Sequence, residues 1–346
     1  MQMDRKKYRI RVLVVIGMLL FVSFSFYFYQ ILFSANFQYR KGDRYLYIRK
    51  HADFKEVLDS LTKNEMIGDV KSFAFISKLV GYQERVKPGR YLIKGDRNNI
   101  QVIRLLKNGS QAPVKLTFNN IRLKEDLALN IGSKLSFSAD TLYAYLSDPK
   151  VAARYGFDTV TFMSMFIPNT YEVYWDIEPK AFFDKMNKEY KKFWSAERLK
   201  KAKEIGFTPL QVSIIASIVE AETNQASEKR RIAGLYINRL TIDMPLQADP
   251  TVKFALRDFS IKRIYQGHTK IESPYNTYKY KGLPPGPIDL PSIASIDAVL
   301  SYERNKYLYF CASPTRIGFH DFTENYNDHV NNANRYRGYL DTEEIK

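Results

Sequence analysis

Hydrophobic and polar positions change rhythm sharply along the chain, beginning with an uncharged run from Val12 to Phe33, VLVVIGMLLFVSFSFYFYQILF. At about 1.5 Å rise per residue this run makes a helix of roughly 33 Å, enough to cross a bilayer. A cleaved signal peptide is the alternative, but its apolar region is about 7–15 residues and ends in small residues, whereas this run is longer and ends in bulky aromatics. A retained anchor over residues 12–33 is therefore expected. Arg5, Lys6, Lys7, Arg9 and Arg11 precede it, and Arg40, Lys41, Arg44, Arg49 and Lys50 follow it. The first group abuts the apolar run and the second begins several residues beyond it. Residues 1–11 are thus expected as a cytoplasmic tail, with the chain from about residue 36 onward outside the cytoplasm.

Beyond the span, residues 40–115 read as a small unit in the order strand, helix, helix, strand, helix. Tyr45 to Ile48 has strand propensity, and Asp53 with Glu56 three residues later opens a helix that turns Phe54, Val57, Leu58 and Leu61 to one face. A second helix, about Val70 to Val80, buries Phe73 and Ile76, with Leu79 at the edge of that face, and Gly81 ends it. Lys87-Pro88-Gly89 turns into a strand ending at Ile93, and a helix from Ile100 to Leu106 closes at Asn108-Gly109. Such a unit suits a binding module or a spacer, and strands and helices alone do not choose between them.

From Pro113 to about Ile205 short β-rich stretches alternate with amphipathic helices. In the lysine-rich run Phe182 to Lys203, lysines recur around Phe183, Met186, Tyr190 and Leu199, as on a solvated helix face. Pro168-Asn169 marks a turn between apolar runs.

Thr208-Pro209-Leu210-Gln211 supplies an N-cap, a first-position proline and a glutamine at the third helical position, so a helix starts here. It continues almost wholly apolar or small through Val219 and then meets Glu220 and Glu222. The negative end of the helix dipole and apolar neighbours both disfavour a carboxylate, so an acid here is expected to hold its proton more tightly than usual, as a general acid must. Residues two apart point to different sides of a helix, so at most one of the two faces a given cleft. A purely structural carboxylate is the competing reading of the same pattern. A further helix opened by Ser227 carries Ile232, Leu235, Tyr236 and Leu240 at helical spacing. The loops that follow, Met244 to Thr251, Ser273 to Tyr278 and Lys281 to Ile288, hold the amides, hydroxyls and tyrosine faces that sugars need, though such residues also populate ordinary turns.

Composition narrows the partners. With 53 Lys+Arg against 37 Asp+Glu the net charge is +16, and 45% hydrophobic residues supply a large core. The excess admits nucleic acid, an anionic membrane or an extracellular polyanion, and a chain held outside the cytoplasm makes nucleic acid the unexpected partner. Cys311 is the one cysteine, and with His51, His268, His320 and His329 it makes no metal-ligand spacing, so neither disulfide nor metal site is expected.

Several segments in one order carry a family resemblance: Ile215 to Thr223, Tyr236-Ile237-Asn238-Arg239-Leu240, Leu246 to Val252, Tyr275-Asn276-Thr277-Tyr278, Gly282 to Ile288 and Tyr307 to Phe310. Together they resemble the endolytic murein transglycosylases of the MltG or YceG-like family, and Gly318 to Phe322 with Asp328-His329 is similar to that family's ending. The resemblance covers nearly the whole chain. It implies an α+β fold: a transmembrane helix, a LysM-like β/α subdomain over 40–115 and a mixed α+β catalytic domain over 116–340. It implies lytic cleavage within peptidoglycan strands between N-acetylmuramic acid and N-acetylglucosamine, leaving 1,6-anhydro ends, with no cofactor. It places the catalytic acid on Glu220, the first acid of the Val-Glu-x-Glu-Thr motif, and assigns substrate positioning to Glu222, Gln247, Asp249, Asn276, Thr277 and Tyr278. Peptidoglycan synthases are candidate companions, and the implied location is the plasma membrane with the catalytic domain on its outer side. Two stretches depart from the family pattern: Leu116 to Arg122, where a proline-glutamate-glycine turn is usual, and Pro168-Asn169-Thr170, where Pro-Asp-Thr is usual. A catalytically silent cell-wall scaffold and a true hydrolase, the latter needing Glu222 or Asp249 as a second carboxylate, stand as alternatives.

Overall fold

A computed structural model describes residues 5–39 and 42–342. Residues 1–4 of the expected tail, and Arg40 and Lys41 among the cations expected after the span, lie outside the described residues. The chain divides into two compact units, one running to Val114 and including Glu172–Ile177, the other comprising Lys115–Tyr171 and the residues from Glu178 onward.

The first unit opens with α1 (Arg5–Phe33), a 29-residue helix with no buried residue. Its most apolar stretch has a mean hydropathy of 2.3. Then come β1 (Ala35–Phe37), β2 (Arg44–Ile48), α2 (Phe54–Lys63), α3 (Val70–Leu79), β3 (Gly89–Ile93), β4 (Arg97–Asn98) and α4 (Asn99–Asn108). The expected order is present, with β1 and β4 added; at three and two residues they are too short to show an alternating pattern. Strand β2 runs antiparallel to β3 from Arg44↔Ile93 to Ile48↔Gly89, and β1 pairs with β4. Local chemistry sets the helix ends. The Asp53 carboxylate accepts the Glu56 amide, Asp69 caps α3 through the amides of Lys71 and Ser72, and Asn98 with Gln101 forms a reciprocal capping box on α4. After α4, Gly109 adopts φ +72°, a left-handed exit that a side chain would strain. The core joins Phe37, Leu46, Ile48, Val57, Leu61, Phe73, Ile76, Tyr91 and Leu106. Leu79 is not part of it: at 60% exposure it faces solvent. At about 100° per residue it lies roughly 120° around the helix from Phe73, outside the buried stripe.

The second unit holds β5 (Val114–Phe118) from Lys115 on, α5 (Lys124–Gly132), α6 (Ala139–Ser147), α7 (Pro149–Arg154), β6 (Asn169–Val173) as far as Tyr171, α8 (Pro179–Phe193), α9 (Ala196–Glu204) and α10 (Pro209–Glu222). It continues with α11 (Ala226–Thr241), α12 (Asp249–Leu256), α13 (Ile293–Leu300), β7 (Tyr309–Ala312), β8 (His320–Thr323) and α14 (Tyr326–Thr342). The fold is thus α+β, rich in helix, with two-stranded sheets β5–β6 and β7–β8 in this unit. The turn expected at Pro168-Asn169 gives way at once to β6, which begins at Asn169. The lysine-rich run divides into α8 and α9, with Phe182, Phe183 and Met186 facing inward.

Helix α10 is the axis of the unit. Thr208 and Gln211 close a capping box at its start, and Val212 to Val219 are all buried. Around it pack α9, α11, α12 and α13. Ser227 does not cap α11, which begins at Ala226 after Gln225, because Thr223 Oγ1 instead accepts the Gln225 amide and holds the turn between the helices. Arg198 on α9 clamps Asp297 on α13 through two hydrogen bonds of 3.0 and 3.2 Å.

Candidate active site

The all-apolar stretch of α10 drives the helix through the core, and its last turn must then deliver two acids to different sides. They are about 200° apart on the helix, so one environment cannot serve both.

Glu220 turns toward α11 and the start of α13. Its Oε2 accepts Lys229 Nζ at 2.9 Å, the Ser292 amide at 3.3 Å and Ser292 Oγ at 2.5 Å, and it also accepts the Ser295 hydroxyl. Burial pushes this carboxyl up. The hydroxyls of Ser292 and Ser295 and the charge and hydrogen bond of Lys229 outweigh that burial and hold it below the usual glutamate range. The direction is thus opposite to the rise expected of an acid at this helix end. The partners of Glu220 explain why: a helix N-terminus and a cation both favour the anion.

Glu222 turns the other way, onto the wall of a cavity of about 650 Å³. Its Oε1 accepts the Tyr236 hydroxyl at 2.6 Å. Burial raises its pKa, the Tyr236 hydrogen bond opposes the rise, the charge of Asp249 adds to it, and the result is about 7. Asp249, the first residue of α12, lines the same cavity and accepts the Tyr278 hydroxyl at 2.6 Å. Burial pushes Asp249 up as well. Two carboxyls, each held by a tyrosine O–H, share one cavity.

Gln247 and Tyr278 also line it. Gln247 sits at φ +50°, which brings its side chain in beside Arg239. Asn276 and Thr277 do not line the cavity; they build its wall from behind. Asn276 Nδ2 donates to the carbonyls of Thr269 and Ile271, both at 2.9 Å, and its Oδ1 accepts the Tyr278 amide at 3.1 Å. Thr277 Oγ1 accepts the Ala248 amide at 3.0 Å, and its carbonyl accepts the Gln247 amide at 3.0 Å. The expected contact residues thus separate into Glu222, Gln247, Asp249 and Tyr278 on the cavity and Asn276 and Thr277 as loop braces.

Other cavity residues went unassigned in the sequence. Arg239 is 5% exposed and donates to the carbonyls of Leu308 and Leu246, both at 2.6 Å, so its charge is fixed near Glu222. Tyr309, His320 and His329 come from β7, β8 and α14, more than 80 residues downstream, and the Lys262–Ile264 segment and Arg337 close the rim. His320 Nδ1 lies 2.8 Å from Glu228 Oε2, whereas burial and the charge of Arg239 keep the His329 imidazole below its usual range. The segments Tyr236 to Leu240, Tyr307 to Phe310, Gly318 to Phe322 and Asp328-His329 held Arg239, Tyr309, His320 and His329, but their role follows only once α11, β7, β8 and α14 meet. Among the described residues no group of three His, Cys, Asp or Glu is placed to hold a metal ion.

A buried helix thus ends in two differently treated acids, one of them facing a polar cavity. The profile of the YceG-like family matches residues 46–335, and the chain belongs to that family. It is similar to a protein named endolytic murein transglycosylase from Streptococcus pneumoniae serotype 2 (strain D39 / NCTC 7466), at 26% identity over 325 residues, covering 83% of this chain and 57% of that one. A protein of the same name from Bacillus subtilis (strain 168) is 38% identical over 122 residues, covering 35% of this chain and 33% of its own. The crystal structure of a yceG-like protein of Listeria monocytogenes superposes with a TM-score of 0.56 at 25% identity, covering 84% of this chain and 98% of that chain. The chain spans a little over half the length of the streptococcal relative.

Proposed function

We propose that the protein is a membrane-anchored lytic transglycosylase that cuts peptidoglycan glycan strands internally between N-acetylmuramic acid and N-acetylglucosamine, and that Glu222 carries the proton. The observation that carries this reading is the Glu222 carboxyl, held by the Tyr236 hydroxyl and pushed up by burial, on the wall of a cavity of about 650 Å³. The family and the names of its relatives point to the same reaction.

Protonated Glu222 gives its proton to the glycosidic oxygen as the bond to C1 of the muramic acid breaks, freeing the 4-hydroxyl of the neighbouring sugar. The Glu222 carboxylate then takes the proton of the muramic 6-hydroxyl, whose oxygen closes on C1. The acid is restored and no water is consumed. Tyr236 fixes the carboxyl through its hydrogen bond, while Gln247, Asp249 and Tyr278 offer partners to sugar hydroxyls. In this reading Glu220, which the family resemblance makes the acid, ties the last turn of α10 to α11 and α13 and so aims Glu222.

The anchor is α1, and the packing of Ile31 and Leu32 against the core of the first unit favours retention over cleavage as a leader. The implied place is the plasma membrane, with the catalytic unit on the outer face. A LysM-like glycan-binding role for residues 40–115 is supported by their element order alone, and binding of that unit to insoluble peptidoglycan tests it.

Digesting peptidoglycan and analysing the fragments by mass spectrometry tests the reaction. Anhydro ends are expected; reducing ends would mark a hydrolase using Asp249 as second carboxylate, and no release would mark a scaffold. Glu222→Gln should abolish release while Glu220→Gln keeps measurable turnover, and the reverse pattern would return the acid role to Glu220.

A further inference from the structure

Helix α3 of the first unit buries Ser72, Phe73, Ile76 and Ser77 and turns a second face outward. That face holds Phe75 and Leu79, 50% and 60% exposed, with Lys71 and Lys78 together along the side away from the buried stripe. The four positions follow helical spacing, and α3 contains no acid. Two large apolar groups bordered on their outer side by lysines make a stripe that a water-facing spacer does not need.

Its neighbour says what covers it. The ring of Phe28, near the end of α1, meets Phe75 edge-on at 6.5 Å between centroids. Two further ties hold the end of α1 to the unit: Asn99 Nδ2 donates to the Ile31 carbonyl at 2.9 Å, and Ile31 and Leu32 pack on the core. A hydrocarbon layer of about 30 Å takes about 20 helical residues, so a span entered at Val12 reaches its far boundary near Ile31. Phe28 is within one turn of that boundary, and Phe75, touching it, stands at nearly the same depth.

We propose that the outward face of α3, formed by Lys71, Phe75, Lys78 and Leu79, lies in the headgroup layer of the bilayer that α1 spans. The rings and the leucine enter the boundary region while the lysines reach anionic headgroups, the arrangement of an interfacial helix. The first unit is then fixed against the membrane surface. This inference rests on the reading of α1 as a retained anchor.

Nitroxide labels on single cysteines test it in the full chain carrying Cys311→Ala, reconstituted into nanodiscs of mixed zwitterionic and anionic phospholipid. Labels at Phe75→Cys and Leu79→Cys are compared with Leu20→Cys in α1 and with Asp59→Cys on the exposed side of α2. Relaxation by oxygen, which concentrates in lipid, should exceed relaxation by a water-soluble nickel chelate at positions 75 and 79, giving ratios between those at 20 and 59. Lys71→Glu with Lys78→Glu should lower the ratio at position 75. Ratios at 75 and 79 equal to that at 59, with position 20 still oxygen-dominated, would overturn the surface assignment and leave the anchor standing. A nickel-accessible position 20 would overturn both.

Discussion

Replacing Tyr236 by phenylalanine removes one oxygen and tests whether the environment of Glu222 sets its pKa. The Tyr236 hydroxyl donates to Glu222 Oε1 at 2.6 Å and stabilises the charged form, so it pulls the pKa down against burial. A hydrogen bond to a charged group is worth about 1.5–3 kcal/mol. At about 1.4 kcal/mol per pKa unit, its loss raises the Glu222 pKa by about one to two units. In the proposed reaction, where Glu222 must be protonated to start, the acid form then survives to higher pH. The assay is release of anhydro-ended fragments across the pH range, with circular dichroism to confirm the fold. The alkaline limb of kcat/KM should move upward by that amount. A limb that stays in place, or moves down, would refute Glu222 as the titrating acid.

Other outcomes follow from the same geometry. Because the folded pKa of Glu222 is raised from 4.5 to about 7, the native state is penalised as pH climbs through that window; Glu222→Gln should stabilise by about 3 kcal/mol above pH ~7 and by almost nothing near pH 4.5, read as denaturant midpoints. Glu220 behaves oppositely: its lowered pKa contributes stability above about 4.5 that fades as pH falls through the folded value. Glu220→Ala strands the buried Lys229 and should cost about 3–5 kcal/mol at neutral pH by chemical denaturation. Asn276→Ala removes the brace behind Tyr278 and should raise KM more than it lowers kcat, measured on soluble glycan strands. Gly234→Ala would set a Cβ 2.2 Å from the Glu303 carbonyl oxygen, and the helix must shift to accept it; a loss of about 1–3 kcal/mol or more is expected in thermal unfolding.

Local chemistry made much of the scaffold legible. The uncharged run became α1, Thr208-Pro209 with Gln211 became the start of α10, and Asp53 and Gly109 bound their helices where their side-chain chemistry or lack of it demands. Those signals act over a few residues, which is why they can be read along a chain. Strands β1 and β4 could not be read so, because two or three residues carry no period and form only when a distant partner offers its backbone. Ser227 looked like a cap, but Thr223 takes the turn instead.

For the site, the chain alone decided that a buried helix ends in two acids and that helical geometry sends them to opposite sides. Which acid meets the cavity was settled only by packing. Ser292 and Ser295 arrive from about 70 residues downstream with Lys229 and neutralise the cost of charge on Glu220. Tyr236, Asp249 and the β7–β8 hairpin enclose Glu222, and the burial raises its affinity for a proton. A carboxyl's affinity for its proton depends on the dielectric and the charges within a few ångströms, and those neighbours are chosen by tertiary structure rather than by position along the chain.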